Sequence, residues 1–281
     1  ESMSRHTTFR TGGPADILVT PKAEQISEIL ALCKEKQIPW TVIGNGSNLL
    51  VGDGGIRGVV LEIGKQMSEI SIEGTKITAG AGAMLSAIAS KAAAQELTGL
   101  EFASGIPGSL GGAVVMNAGA YGGEMKDVLT EVTVLTPEGT FLTLPVAELD
   151  LSYRHSIIPE RGYLVVSAVL ELHPGKAEEI RAVMEDLKEK RVSKQPLEYP
   201  SAGSTFKRPE GYFAGKLIQD AGLRGFQVGG AQVSEKHCGF VINRDHATSA
   251  DICNLMNQVS EIVFEKFGVR LEAEVKKIGE F

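Results

Sequence analysis

Two glycine-rich segments could present main-chain amides to a large anionic ligand. The first is VIGNGSNLLV at residues 42–51, which follows a strand-like run, and the second is SGIPGSLGGAVVMNAGAY at residues 104–121. A glycine inside a helix or strand costs about 0.5–1 kcal/mol relative to alanine, so ordinary secondary structure is not expected in the second segment. Glycines also leave the backbone open to close approach by a ligand. The two segments together predict one large anionic cofactor that is held mainly by main-chain atoms.

Neither segment carries a familiar phosphate-binding motif. The chain has no GxxxxGK[ST] sequence, and GNGSN at residues 44–48 only begins like a dinucleotide fingerprint, because Leu49 stands where the third glycine belongs. The remaining possibility is a turn whose successive amides converge on phosphate oxygens, with hydrogen bonds added by the side chains of Ser47 and Asn48. Alone, GNGSN would be interpreted as a tight turn, but its pairing with the second segment favours ligand binding.

Composition and charge narrow the possible functions. With 281 residues, 43% hydrophobic and 22% charged, the chain is typical of a soluble globular protein of two or three domains. A formal net charge of −7 argues against non-specific binding to nucleic acid or to an anionic membrane. No apolar run approaches the roughly 20 residues of a membrane span. The cysteines Cys33, Cys238 and Cys253 form no CxxC pair, so we expect a reducing, cytoplasmic compartment and no metal site.

The elements that must position these segments follow from apolar patterns and turn residues. Helices are predicted between Pro21 and Pro39 and at 84–95, 177–190, 214–221 and 249–267. An antiparallel pair is predicted over 70–79, and other strands at 16–20, 40–43, 58–63, 131–135, 140–144, 163–172, 225–233, 239–243 and 269–278. Residues 193–209, which contain three prolines, are predicted to be an irregular loop that carries function. The predicted fold class is α+β with few regular βαβ units.

Seven blocks of sequence occur in an order that resembles one enzyme family. They are RTGGPA (10–15), IGNGSNLLV (43–51), SGIPGSLGGAVVMNAGAYG (104–122), YRHS (153–156), SAGSTFKRP (201–209), GGAQVSEKHCGFVIN (229–243) and LEAEVKKIG (271–279). Together they are similar to the UDP-N-acetylenolpyruvoylglucosamine reductases, the MurB flavoenzymes of peptidoglycan synthesis. The resemblance covers essentially the whole chain.

The resemblance implies a fold and a cofactor. The fold would be a vanillyl-alcohol-oxidase-like FAD-binding domain in two lobes, at 1–64 and 65–174, followed by a substrate-binding domain at 175–274. The C-terminal strand at 275–281 would return to the first lobe. The short span between Gly122 and Tyr153 is similar to that of the compact second type of the family, which lacks a substrate-covering insertion. FAD is expected to be non-covalent, because no histidine lies in either glycine-rich segment. The cofactor-binding residues implied are Gly44, Asn45, Gly46, Ser47, Asn48, Leu49, Ser104, Gly105, Ile106, Pro107, Gly108, Ser109, Gly111, Gly112, Asn117 and Ala118.

The family's reaction also implies three catalytic residues. NADPH would reduce FAD, and flavin N5 would pass hydride to the methylene carbon of UDP-N-acetylglucosamine enolpyruvate, which gives UDP-N-acetylmuramate. The enolate-like intermediate needs a preorganised cation and a positioned proton donor. By motif position, Arg154 in YRHS matches the enolate-stabilising arginine and Ser204 in GSTFK the proton-donating serine. Glu274 in LEAEV matches the third catalytic residue, a carboxyl that assists at the enolate.

The residue types suit these roles, but not every assignment is unique. A guanidinium fork binds a carboxylate through two parallel hydrogen bonds, which favours Arg154. A serine hydroxyl is a weak acid and needs neighbouring cations, for which Lys207 and Arg208 are candidates. In a regular strand Glu272 and Glu274 would share one face, so only motif position selects Glu274, which is expected to be partly buried.

Four residues are candidates for substrate binding: Tyr153, Lys194, Lys207 and Arg208. Lys194 is similar to a lysine that meets the UDP diphosphate in the family, although a solvated lysine would give the same pattern. Many relatives carry asparagine where Arg208 stands, so that contact is not transferred directly. His155 is expected to be structural, and no role is assigned to His237.

Two other functions remain open at the level of sequence. An FAD oxidase of the same fold group would be reoxidised by oxygen and not by an enolpyruvyl nucleotide. A binding module whose glycine-rich segments are merely turns would carry no flavin. As a reductase, the chain is expected to be a monomer that uses UDP-N-acetylglucosamine enolpyruvate and NADPH, without nucleic-acid or membrane partners.

Overall fold

The computed structural model describes residues 1–281 and divides into two compact units. The terminal unit comprises Glu1–Ile17, Gly46–Gly58 and Val192–Phe281, and the central unit comprises Leu18–Asn45 and Val59–Arg191. This division differs from the three domains predicted from sequence, because two N-terminal segments are grouped with the C-terminal region.

The chain mixes separate helices with largely antiparallel strands, which confirms the α+β class. The helices are α1 Ala23–Glu35, α2 Leu85–Ala94, α3 Leu110–Val115, α4 Ala177–Lys194, α5 Ala214–Asp220 and α6 Ser249–Phe267. The strands are β1 Ala15–Val19, β2 Trp40–Ile43, β3 Leu49–Val51, β4 Ile56–Glu62, β5 Ile70–Glu73, β6 Lys76–Gly80, β7 Leu97–Thr98, β8 Gly119–Ala120, β9 Gly123–Glu124, β10 Leu129–Leu135, β11 Phe141–Pro145, β12 Leu164–Glu171, β13 His173–Pro174, β14 Gln227–Val228, β15 Ala231–Val233, β16 Val241–Asn243 and β17 Lys276–Ile278. No helix combines the length and the apolar character needed to traverse a bilayer.

A five-stranded antiparallel sheet, in the order β11-β10-β12-β6-β5, organises the central unit. Along β10, Val132 and Val134 are fully buried whereas Thr133 between them is only half-buried, as expected when one face of a sheet covers a core. The register sets Ala168 of β12 opposite both Val132 of β10 and Ala79 of β6. Residues of α2 and α3 belong to the same buried cluster, so the sheet supports the second glycine-rich segment.

A smaller sheet leads, through its strand β2, into the first glycine-rich segment. Its order is β1-β4-β2, and β2 runs parallel to β4. α1 buries Ile26, Leu30 and Cys33 at helical spacing in the core that this sheet shares. β2 ends at Ile43, so the chain reaches Gly44 and Asn45 directly from a hydrogen-bonded strand.

In the terminal unit, α6 packs on the three-stranded sheet β14-β15-β16. A capping box begins the helix: Asp251 N donates to Thr248 Oγ1 at 3.0 Å, and Thr248 N donates to Asp251 Oδ2 at 3.1 Å. The Asp53 carboxylate accepts from Ser249 N at 2.8 Å and from Ala250 N at 2.9 Å. These bonds satisfy amides that the first turn of a helix leaves without an internal partner.

Three predicted elements differ from the structure. α3 forms inside the second glycine-rich segment, because Leu110, Ala113 and Val114 present an apolar side to the core. α4 continues to Lys194, beyond its predicted end at residue 190. The strand predicted at 269–278 is regular only over β17, which runs parallel to β3.

Candidate functional site

The two glycine-rich segments meet within the central unit. Asn45 Nδ2 donates a hydrogen bond to Pro107 O at 2.7 Å. Gly44 lies so close to Ser109 that a β-carbon on Gly44 would clash with Ser109 Oγ. Residues 44–45, delivered by β2, and residues 107–109, which precede α3, therefore form one surface.

This surface carries main-chain amides that have no hydrogen-bond acceptor within the central unit. The nitrogens of Gly44, Asn45, Gly105, Gly108 and Gly112 donate no hydrogen bond within the central unit. A group of unpaired amides on close-packed glycine backbone suits the phosphate and carbonyl oxygens of a flavin dinucleotide. The residues present therefore fit FAD.

Other amides of the second segment are committed to the fold. Ser104 N donates to Glu101 O at 3.2 Å, and Ala118 N donates to Ala113 O at 2.8 Å. Leu110 N and Gly111 N both donate at 2.8 Å, to Ala83 O and Ala81 O. Only part of the segment assigned to cofactor binding from sequence is thus open for it.

Several glycines are required by contacts inside the protein. A β-carbon on Gly105 would lie 2.7 Å from Arg191 Nε, and one on Gly123 would lie 2.6 Å from the Phe102 ring. In contrast, a β-carbon on Gly112 would be 3.8 Å from its nearest neighbour. Close packing of the chain on itself therefore accounts for part of the glycine content, beside the predicted approach of a ligand.

Arg191 and Tyr121 form a charged feature of the central unit that sequence analysis missed. The Arg191 guanidinium, near the end of α4, lies beside Gly105. Burial lowers the pKa of Arg191, and the charge and hydrogen bond of Tyr121 oppose that shift. The sequence signal was weak, because Arg191 stands in a run of charged helix residues, KEKRVSK at 188–194.

Arg154 occupies a strained turn. Ser152 and His155 form a bridge in which His155 N donates to Ser152 O at 3.1 Å. Between them, Arg154 has a φ of 55°, in the left-handed region that favours glycine. Its guanidinium lies 5.0 Å from the centre of the Tyr153 ring, which is half exposed. His155 Nε2 lies 3.2 Å from Asp150 Oδ2, within hydrogen-bond distance.

Asn117, predicted from sequence to bind the cofactor, is held by contacts inside the central unit. Asn117 is 1% exposed, and its main-chain nitrogen donates to Val114 O at 3.1 Å. Its side chain bonds to Glu124, Lys126 and Ser152. These contacts use both side-chain donors and one lone pair of Oδ1 inside the protein.

In the terminal unit, the segment that carries Ser204 lies beside Glu274. Glu274 N donates to Thr205 O at 2.9 Å, and Phe206 forms a bridge with Ala273. Thr205 is fully buried and its Oγ1 accepts from Val241 N at 2.8 Å, which anchors the segment. Ser204 itself is exposed, whereas Glu274 is only 8% exposed.

The structure separates the two glutamates that sequence could not distinguish. The Glu272 side chain is 71% exposed and pairs with Lys207 Nζ at 2.5 Å. Glu274 is buried, whereas Glu272 is exposed, so the two side chains differ in their surroundings. The expected burial of Glu274 is confirmed.

Residues 46–48 of the predicted phosphate loop belong to the terminal unit. Gly46 has a φ of 61° and packs on His6 O, leaving no room for a β-carbon. Asn48 Nδ2 donates to Glu274 O at 3.0 Å, and Lys276 N donates to Asn48 O at 3.0 Å. The Asn48 amide group, expected to bind phosphate, therefore holds the main chain of Glu274.

The candidate substrate residues of the terminal unit include Lys194 and Arg208. Lys194 is the last residue of α4. The pKa of His237 is lowered mainly by burial of the imidazole and further by the positive charge of Lys194. His237 Nδ1 accepts from Gly239 N at 3.1 Å, which fixes the ring. The Arg208 guanidinium lies 3.9 Å from the centre of the Phe213 ring.

Comparisons with known proteins match the chain over its whole length. The sequence model of an FAD binding domain matches residues 14–145, and that of the UDP-N-acetylenolpyruvoylglucosamine reductase C-terminal domain matches residues 195–278. A UDP-N-acetylenolpyruvoylglucosamine reductase of Agathobacter rectalis is 61% identical over 100% of this chain and 93% of its own length. One of Clostridioides difficile is 54% identical over 100% of this chain and 92% of its own length. The crystal structure of the MurB reductase from Thermus caldophilus superposes with a TM-score of 0.84 at 36% identity, covering 99% of this chain and 97% of that one.

Proposed function

Because this chain belongs to the UDP-N-acetylenolpyruvoylglucosamine reductase family, we propose that it reduces UDP-N-acetylglucosamine enolpyruvate to UDP-N-acetylmuramate with NADPH as reductant. It is an FAD-dependent oxidoreductase. The observation that carries the proposal is the surface of unpaired amides where the two glycine-rich segments meet. The product would serve peptidoglycan synthesis, and through it cell shape and cell division.

The central unit would hold the cofactor through its main chain. The amides of Gly44, Asn45, Gly105, Gly108 and Gly112 would donate to cofactor oxygens. When bound non-covalently, FAD supplies hydride transfer from NADPH to the enolpyruvyl methylene carbon. Ser109 Oγ, beside Gly44, is positioned to add a hydrogen bond on the same surface.

The catalytic roles follow the chemistry of an enolate. Arg154 would pair with the carboxylate and stabilise the negative charge that develops there. Ser204, exposed on an anchored segment, would donate the proton to the carbon that bears the carboxylate. Glu274, buried beside that segment, would assist by a hydrogen bond to the enolate.

Substrate binding would use exposed aromatic and cationic side chains. Tyr153 and Arg208 present such groups, and Lys194 supplies a cation for the UDP diphosphate. Lys207 is held by Glu272, which favours a role in fixing the segment after Ser204 over direct phosphate binding.

We also propose that the enzyme works as a monomer in the cytoplasm. Its three cysteines form no disulfide, as suits a reducing compartment. Light scattering during size-exclusion chromatography tests the oligomeric state: the mass of one chain is expected, and a stable dimer would contradict it.

A two-step anaerobic experiment tests the function. NADPH should bleach the flavin absorbance of the purified protein, and adding the enolpyruvyl nucleotide should restore it without oxygen. Recovery only after oxygen is admitted would favour an FAD oxidase. A protein that carries no flavin, even after incubation with FAD, would favour a simple binding module.

The same experiment on Ser204→Ala isolates the proton donor. Bleaching by NADPH should stay within about threefold of wild type, whereas recovery should slow by about 10²-fold or more. Ser90→Ala, an exposed serine of α2, is the control and should behave as wild type in both steps. Equal loss of both steps in Ser204→Ala would contradict the assigned role.

A further inference from the structure

We propose that Asn117 is a positioning residue for Arg154, acting through the carbonyl of Ser152. This inference rests on the proposed function, because it gives Arg154 a part in the reaction. Asn117 Nδ2 donates to Ser152 O at 3.1 Å, and Ser152 opens the turn that carries Arg154. All these residues belong to the central unit.

The Asn117 side chain makes three hydrogen bonds, which use both of its donors and one lone pair of Oδ1. Nδ2 also donates to Glu124 Oε2 at 2.5 Å, and Oδ1 accepts from Lys126 N at 2.9 Å. Glu124 in turn pairs with Lys126 Nζ at 3.1 Å. These bonds restrict the Asn117 side chain, which is itself buried, to one arrangement. They connect the end of α3 to the β8–β9 hairpin and to the Arg154 turn.

A second contact holds the other end of the turn. Ser156, 2% exposed, donates from Oγ to Val115 O at 2.7 Å. Val115 is the last residue of α3, two positions before Asn117. The residues between Ser152 and Ser156 are therefore fixed at both ends to the same stretch of backbone, which follows the amide surface.

The conformation of Arg154 explains why the turn must be held. A left-handed φ in a non-glycine residue costs free energy and persists only where the surroundings impose it. The bonds of Asn117 to Ser152 O and of Ser156 to Val115 O hold the two ends of the turn. Without these two contacts, the turn would relax. The Arg154 guanidinium would then move away from the position in which it is proposed to pair with the substrate carboxylate.

Asparagine is the side chain that the site requires. Alanine would remove the bonds that Asn117 makes with Lys126 N, the Glu124 carboxylate and Ser152 O. Aspartate could still accept from Lys126 N but could not donate to Ser152 O, and its charge would face that of Glu124. Changes at Asn117 can therefore separate the hairpin contact from the Ser152 contact.

A double-mutant cycle between Asn117→Ala and Arg154→Ala tests the proposal. The rate measured is flavin reoxidation by the enolpyruvyl nucleotide after reduction by NADPH. Asn117→Ala should slow reoxidation by about 10- to 100-fold, the order expected from a small misplacement of a catalytic group. It should leave FAD affinity and reduction by NADPH within about threefold of wild type, and have no further effect in the Arg154→Ala background.

Each of the other outcomes shows whether the role of Asn117 or the role of Arg154 is wrong. Wild-type reoxidation in Asn117→Ala, with Arg154→Ala slow, would overturn the inference and leave the proposed function intact. Equal slowing by Asn117→Ala in both backgrounds would also overturn it, because Asn117 would then act independently of Arg154. Wild-type reoxidation in Arg154→Ala would remove the role proposed for Arg154, and this inference with it.

A second variant covers the case in which Asn117→Ala does not fold. In Asn117→Asp combined with Glu124→Gln, the new glutamine can donate to the new aspartate, so the hairpin contact is restored without the bond to Ser152 O. Slow reoxidation at a wild-type thermal midpoint would support positioning through Ser152. Wild-type reoxidation at that midpoint would overturn it.

Discussion

At the scale of single residues, Arg154 combines a side chain proposed to stabilise the enolate with a left-handed backbone conformation that is unfavourable for an L-residue. Its φ of 55° is a conformation that an L-residue adopts at a cost, and strained residues concentrate at functional sites. The proposed chemistry requires a guanidinium at this position, whereas the turn alone would favour glycine. Under this proposal, function and stability make opposite demands on residue 154.

We expect Arg154→Gly to stabilise the protein while abolishing turnover. Relief of the left-handed conformation should raise the free energy of unfolding by about 0.5–1 kcal/mol, and reoxidation of reduced flavin by the substrate should slow by about 10²-fold or more. Urea denaturation and anaerobic stopped-flow absorbance measure the two effects. Gln37→Gly is the matched control, because exposed Gln37 has a φ of 54° and should gain stability with unchanged turnover. A loss of stability in Arg154→Gly would show that the turn is not strained.

The two glutamates near the C-terminus provide a second matched pair. Glu274→Gln should slow reoxidation by about 10²-fold, because a buried carboxyl beside the Ser204 segment is removed from the site. Glu272→Gln should stay within about threefold of wild type, since it loses only an exposed ion pair with Lys207. Steady-state turnover measures both, and a larger loss in Glu272→Gln would reverse the assignment.

Sequence patterns do not reveal the surroundings of the predicted site residues. Motif position alone selected Glu274, and the structure adds that it is buried whereas Glu272 is exposed. At Asn117, the motif gives no sign of the hydrogen bonds that the side chain makes to Glu124 and Ser152. Hydrogen bonds between residues distant in sequence, such as Asn48 to Glu274, leave no local pattern to detect.

At the scale of elements, strong patterns located most helices and strands. The predicted strand at 40–43 and helix at 249–267 coincide with β2 and α6, since clear apolar periods and flanking turn residues define them. α3 was missed because its glycines disfavour a helix, and tertiary burial of Leu110 and Val114 overrides that local preference. The end of α4 was missed because the charged residues after 190 carry no stop signal.

The first turn of α6 gives a prediction about pH. Hydrogen bonds from Thr248 N and Gly230 N lower the pKa of Asp251, so the folded state favours the carboxylate. That stability is present above the ordinary aspartate pKa of about 3.9 and is lost as pH falls through the lower folded value. Asp251→Asn should therefore destabilise the protein by about 0.3–1 kcal/mol at pH 7, with the difference shrinking below about pH 4.

Urea denaturation followed by circular dichroism measures this effect across pH. Glu261→Gln, an exposed carboxylate in the middle of α6, is the control and should change stability little at either pH. A destabilisation by Asp251→Asn that is the same at pH 7 and pH 3 would rule out the carboxylate charge as its source.

At the scale of the whole molecule, an acidic chain must bind an anionic dinucleotide. A net charge of −7 gives no general attraction for phosphates, so local donors have to supply the binding. Unpaired amides of the central unit, with the Arg191 guanidinium beside Gly105, provide them without a strongly basic surface. Sequence predicted the two segments, and the fold brings residues 44–45 against residues 107–109.

Amide hydrogen exchange of the protein with and without FAD tests this claim most directly. Peptides that contain Gly44–Asn45 and residues 105–112 should exchange at least about tenfold more slowly when FAD is bound, because their free amides then donate to the cofactor. Peptides from β11, at the edge of the five-stranded sheet, should not change. Stoichiometric FAD binding without protection of either glycine-rich segment would contradict the account.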